Sequence, residues 1–299
     1  MNEAYGISLI THAATLTAIF LIKTLPVVIV AIYAVSYSIK KGYLEKFAFS
    51  LQPALRKFGV SEFAVISFAT CFISPTASYS MLSQVWREKK IDDREVIAVS
   101  FLNSFPSVFS HLYAFFIPFV IPVLGFAGLV YTGIRFAVAI IKSLIGFFLS
   151  RRWNHSAPSY QELKPVSVSQ NVLRIAAIMG ITYFIVSLLS LLGVFDFMSE
   201  ALKFLPFKAE AITIAIVEFF NVRSAVVTAA GFMDSGLEWK WVVTGLILGN
   251  VISFSTRSVK HSLPMHLSLF GQFGVKIVLL NSIVTLILDI AFVVLLLII

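Results

Sequence analysis

Two short polar tracts interrupt an otherwise apolar chain, and their residue types suit the holding of a small polar solute. The first is Ser74-Pro75-Thr76-Ala77-Ser78, where Ser74, Thr76 and Ser78 supply hydroxyls that both donate and accept hydrogen bonds. The second is Asn221-Val222-Arg223-Ser224, preceded by Glu218, which brings together an amide, a planar guanidinium, a hydroxyl and a carboxylate. Asn103 and Ser104, and later Asn250 and Ser253, add further amides and hydroxyls within apolar surroundings. Glu218 and Arg223 admit two readings. They neutralise one another across the turn, or Arg223 faces a cavity and presents its fork to an anionic or carbonyl-bearing substrate. No nucleophile–base pair accompanies them, so an enzyme is the least favoured class. The single cysteine, Cys71, permits no intrachain disulfide and no thiolate metal cage. The five histidines, His12, His111, His155, His261 and His266, fall in no metal-ligand spacing, and no cofactor is expected.

These tracts must be positioned by elements whose solvent is lipid. Of 299 residues, 59% are apolar and only 13% charged, with a mean hydropathy of +0.93, whereas a soluble domain carries roughly 25% charge. The net charge of +8 sits in short loops between apolar runs, which points to membrane orientation and not to nucleic acid. Segments 8–38, 120–150, 170–194 and 266–298 each supply the ~20 apolar residues that a crossing helix needs. Residues 43–57 and 195–206 have the mixed faces of helices lying in the interface. Residues 60–86 are flanked on both sides by basic clusters and broken at Ser74-Pro75, so a re-entrant hairpin is expected there. The next helix, 94–117, is interrupted at Asn103-Ser-Phe-Pro-Ser107.

Sliding the chain by 147 residues sets Asn221-Val-Arg-Ser224 on Ser74-Pro-Thr-Ala77 and Asn250 on Asn103. The order of elements recurs too, with a second hairpin at 208–233, and Pro118 to Gly125 is echoed by Pro264 to Gly271. Each unit carries three crossings, an odd number, so the second is inverted relative to the first. The expected fold is therefore an all-α polytopic membrane protein of two inverted-topology repeats, each with three transmembrane helices, an interfacial helix and a re-entrant hairpin. Residues 1–150 form the first repeat, 151–169 a linker and 170–299 the second. Fifteen of the 23 Lys/Arg fall in 40–57, 87–94, 151–174 and 257–260, against Lys203, Lys208 and Lys240 on the opposite side. That bias places the linker in the cytoplasm and both termini outside the plasma membrane. Of the cations within spans, Lys23 suits a pairing with Asp289 or a snorkelling position, and Arg135, Lys142 and Lys276 suit snorkelling or structural pairing. His111 reads as a packing residue or a proton carrier.

The hairpin CFISPTASYSML, followed by WREKKIDDREVIAVSFLNSFPSVFSHLYAF and LGFAGLVYTGI, resembles the nucleoside-recognition or Gate domain of concentrative nucleoside transporters and ferrous-iron permeases. The second half is similar to the same domain again. The resemblance implies a secondary transporter whose hairpin tips and broken helices hold a nucleoside-like or anionic metabolite, moved with a proton or sodium ion or by uniport. Its partners would be that small molecule, membrane lipid and other copies of the chain in a homo-oligomer, with no nucleic acid. Two alternatives are a divalent-metal permease and a non-transporting scaffold. Against the metal, Phe72 and Ile73 stand where the iron permeases carry a cysteine and an asparagine before the proline; no GxxxxGK[ST] motif is present, so no nucleotide hydrolase is expected.

Overall fold

The computed structural model describes residues 3–42, 59–150, 172–194, 206–253 and 262–299, with scattered positions between 46 and 57. The interfacial helices expected at 43–57 and 195–206, the linker and the basic loop 257–260 lie largely or wholly outside the described residues. Every regular element that is described is helical: α1 (Glu3–Lys40), α2 (Glu62–Ile73), α3 (Pro75–Arg87), α4 (Asp93–Leu102) and α5 (Ser104–His111) come first. A π-helical stretch, Leu112–Val120, leads to α6 (Ile121–Leu124) and α7 (Phe126–Ser150). The second half has α8 (Val172–Leu191), α9 (Ala209–Phe220), α10 (Val222–Asp234), α11 (Trp239–Ile252), α12 (Leu263–Phe270) and α13 (Gln272–Ile298). Among the described residues, four stretches are long and apolar enough to cross a membrane: Gly6–Val30 in α1, Asp93–Leu124, α7 and α13. Their outward faces expose Ile22, Leu144, Phe148, Leu279 and Ile287, an apolar exterior suited to lipid.

The two polar tracts sit at the bends of two helical hairpins. Ser74 is extended (φ −153°, ψ 107°), and its Oγ accepts from the Ala77 amide at 3.2 Å, ending α2 and starting α3, with Pro75 at the first helical position. Asn221 has nearly the same backbone (φ −156°, ψ 115°), and its Oδ1 accepts from the amides of Arg223 at 2.9 Å and Ser224 at 3.1 Å. The helices before the bends both have 12 residues and those after both have 13, the second pair offset by 147 residues from the first. Twelve residues rise only about 18 Å, short of the ~30 Å of hydrocarbon. Neither arm alone crosses.

Two expected boundaries are corrected. The spans expected at 120–150 and 266–298 begin instead at Phe126 and Gln272, because the chain turns at Gly125 (φ 53°, ψ −122°) and Gly271 (φ 59°, ψ −141°). Only glycine takes that backbone without strain. The interruption at 103–107 is slighter than expected. Asn103 stays in the right-handed region, its amide still donates to Val99 O at 2.9 Å, and Ser107 N donates to its carbonyl at 3.0 Å. Pro106 supplies no N–H to Leu102 O, and Ser143 of α7 fills the gap. Its hydroxyl donates to Leu102 O at 2.6 Å and accepts from Phe105 N at 2.8 Å. The larger departure is the π-helical stretch, whose wider turn accommodates Pro118.

Each hairpin has its own apolar core. Phe63, Phe72, Leu82, Val96, Phe270 and Ile277 pack around the first, and Phe116, Phe119, Met179, Val226, Leu246 and Ile247 around the second. Helix α7 touches both α4 and α11, and α13 packs on α7, so these two long helices run between the two cores.

Candidate functional site

Behind the first bend, a buried cluster of short polar side chains fixes the hairpin to α4. Asn103, wholly buried, donates from Nδ2 to Ser67 Oγ at 2.9 Å and to Ser78 Oγ at 3.1 Å. The Ser78 hydroxyl donates to Ser67 O at 2.8 Å, so its 2.8 Å contact with Ser67 Oγ is one that Ser67 donates. Cys71 Sγ donates to Asn103 O at 3.6 Å. The amide and hydroxyls thus satisfy one another where a mid-hairpin bend would otherwise strand backbone and side-chain groups. The Oδ1 of Asn103 accepts from no described residue.

In front of this cluster opens a cleft of about 220 Å³, walled by Pro75 and Tyr79 of the hairpin and by Asn103, Ser104, Ser107, Arg135 and Lys142. Its far wall comes from the second half, chiefly His266 of α12 and Asn281, Ser282 and Thr285 of α13. Spacing explains the convergence. Arg135 and Lys142 are seven residues apart on α7, and Asn281, Thr285 and Asp289 recur every fourth residue on α13, so each helix turns one polar stripe to the other. Nη1 of Arg135 donates to both carboxylate oxygens of Asp289, at 2.7 and 2.9 Å, and Asp289 is nearly fully buried. Its Nη2 and Nε donate to no described residue. Lys142 Nζ donates to Thr285 Oγ1 at 3.0 Å, while the Thr285 hydroxyl donates to Asn281 O at 2.9 Å and so turns a lone pair to the lysine. Asn281 in turn donates to Ser100 Oγ at 2.9 Å.

The expected site residues divide between this cleft and the second hairpin. Asn103 and Ser104 line the cleft; Ser74 caps α3, Ser78 braces the bend from behind, and Thr76 is exposed at the tip. At the second bend, Asn221 is a cap, Ser224 Oγ accepts from Thr182 Oγ1 at 3.2 Å, and the Arg223 guanidinium lies over Phe115 and Phe119 of the π-helical stretch, 5.6 and 5.2 Å from the ring centres. Glu218 is buried against Gly249, where even a methyl group would run into its carboxylate. Asn250 lies within α11 and donates to Tyr131 OH at 3.2 Å and Leu246 O at 3.1 Å; Ser253 is buried just beyond that helix. None of these six lines the cleft.

Asp289 is held by Arg135, which corrects the pairing expected with Lys23; Lys23 is exposed on α1. His111 is exposed and its Nδ1 donates to Ser107 O at 2.9 Å. Sequence reading left Arg135 and Lys142 among the structural cations and passed over Tyr79, Asn281 and Thr285. The signal available was the matched polar stripes on two long apolar helices. Among the described residues, no three His, Cys, Asp or Glu side chains converge as a metal site.

The fold and cleft define a helical membrane protein with a polar site beside a bent hairpin. A family model described as nucleoside recognition, Gate, matches residues 21–127. The chain is 38% identical over 293 residues to "Uncharacterized protein MJ0871" of Methanocaldococcus jannaschii, covering 92% of each chain. It is 26% identical over 306 residues to "Uncharacterized protein MJ1556" of the same organism, covering 95% of this chain and 97% of that one. It is 25% identical over 303 residues to "Uncharacterized protein MJ0880", also of that organism, covering 94% and 97%. The chain belongs to one family with the first of these archaeal proteins, and its residues 21–127 match the nucleoside-recognition (Gate) model. No solved structure matches it.

Proposed function

We propose that the protein is a secondary transporter of a small polar metabolite, nucleoside-like or anionic, working by alternating access and catalysing no reaction. The observation that carries this reading is the cleft, where Asn103 and Ser104 meet Arg135 and Lys142 between helices long enough to span the bilayer. Polar and charged side chains at that depth are costly and mark solute paths by default. The Gate domain supports the transporter class.

On this reading the two halves are inverted repeats of three crossings each. The equal arm lengths and shared cap geometry of the hairpins 147 residues apart support a repeat, and arms of 12 and 13 residues support hairpins that enter and leave by one face. The basic segments support a cytoplasmic linker in the plasma membrane, with both termini outside. The second hairpin, with Glu218, Asn221, Arg223 and Ser224 and the nearby Asn250 and Ser253, is the counterpart wall that closes the path from the opposite face. A proton or sodium gradient drives the cycle, or the solute runs down its own gradient, in a monomer or a homo-oligomer.

Counterflow into proteoliposomes, screened with labelled nucleosides, organic anions and divalent metals, tests this. Saturable uptake of an organic solute, reduced severalfold by Ser104→Ala as expected for losing one hydroxyl hydrogen bond of about 0.5–1.5 kcal/mol, is the expected result. Uptake confined to metals would replace the reading with a permease. No flux of any solute through intact, monodisperse protein would replace it with a scaffold.

A further inference from the structure

We propose that the cleft takes a small monoanion, a monocarboxylate, with Lys142 as its counter-charge; this rests on the transporter reading and narrows its substrate class. Two cations line the cleft, Arg135 and Lys142; the carboxylate in ion-pair contact with Arg135 is Asp289, engaged through both oxygens, and the buried Glu218 adds a more distant negative charge to the surroundings of Arg135. No described carboxylate oxygen comes within ion-pair distance of Lys142; its partner is the uncharged hydroxyl of Thr285. Among the described residues, Lys142 thus has no carboxylate in contact with it.

Depth makes that charge expensive. Lys142 lies eight residues before the end of the 25-residue α7, about 12 Å of rise from it, and is only partly exposed. A lysine at such depth costs on the order of 2.5–3.5 kcal/mol on insertion scales. A negative charge on the solute gives Lys142 the contact partner it lacks, whereas a neutral solute does not.

The donors present suit a carboxylate in particular. Thr285 occupies one of the three N–H groups of Lys142 and leaves two, and Nη2 and Nε of Arg135 are unused. The hydroxyls of Ser104 and Ser107 line the same space and make no side-chain hydrogen bond among the described residues. Planar oxygens accepting from a guanidinium edge, an ammonium and a hydroxyl form short, charge-assisted bonds. The volume, about 220 Å³, is below the roughly 300–1,000 Å³ of sites that bury drug-sized ligands, so the anion is small.

The test is calorimetric titration of the purified full chain in nanodiscs with glycolate, lactate and pyruvate, each set against an uncharged counterpart where one exists (glycolamide, lactamide), with succinate as a dianion and uridine as a neutral nucleoside. The expected result is binding of at least one monocarboxylate with a preference of roughly tenfold to a hundredfold over its amide. Lys142→Gln should abolish the preference while Lys142→Arg keeps it, and Lys276→Gln, which removes an exposed cation of α13 away from the cleft, should leave it unchanged. The wild-type comparison decides even if Lys142→Gln fails to fold. Binding of amide or uridine equal to that of the acids, anion preference intact in Lys142→Gln, or no binding by any member of the panel would overturn the proposal. The transporter reading fails separately: Lys142-dependent binding without flux in proteoliposomes keeps the anion site and removes transport, whereas uridine flux without anion binding does the reverse.

Discussion

Arg135 and Asp289 form an ion pair that joins the two halves of the chain inside the membrane region, with Asp289 almost fully buried. Removing one member strands the other in a medium where it cannot be solvated. Arg135→Met or Asp289→Leu alone should therefore destabilise the protein by about 3–5 kcal/mol, and the double replacement should recover much of the loss. Unfolding in a detergent–denaturant titration of the four chains measures this; additive losses in the double variant would show that the two residues act independently. The pair also shows what was legible at this scale. That an intramembrane Asp289 needs a cation follows from its residue type, but Lys23 and Arg135 qualify equally in sequence, and only the packing of α13 against α7 chooses between them. The same packing turns Lys142 from a peripheral cation into a lining residue. Asn103 was legible because an amide between apolar runs has few other uses, whereas Ser67, its hydrogen-bond partner, looks like any small helical residue.

At the scale of elements, the hairpin bends were read well because their signals are local: a capping side chain and, in the first, Pro75 at the first helical position. The continuous passage through Asn103 and the π-helical stretch were not read, because proline ordinarily breaks a helix and both repairs come from elsewhere. Ser143 lies on another helix, and the wider turn around Pro118 is a tertiary accommodation. The proposed re-entrant topology rests on length, since each arm is too short to cross singly. In a Cys71→Ser background, cysteines at Lys57 and Lys89 should both react with an impermeant maleimide from the cytoplasmic face. Labelling from opposite faces would mean that 60–86 crosses.

The whole molecule is two hairpin cores with the long helices α7 and α13 between them, and the cleft lies where the first core meets the second half. Composition made the membrane class legible at once, and the 147-residue offset pointed to the second bend at Asn221. The cleft's far wall was not, because α12 and α13 reach the first hairpin through contacts between residues more than 150 positions apart, as between Arg87 and the Leu269 carbonyl at 2.6 Å. If solute crosses through this cleft, a reversible plug placed in it should stop the flux. With Ser107→Cys in the Cys71→Ser background, proteoliposomes should take up solute before labelling, lose uptake when a bulky methanethiosulfonate occupies Cys at that position, and regain it on reduction with dithiothreitol. Uptake undiminished at complete labelling would contradict a path through the cleft.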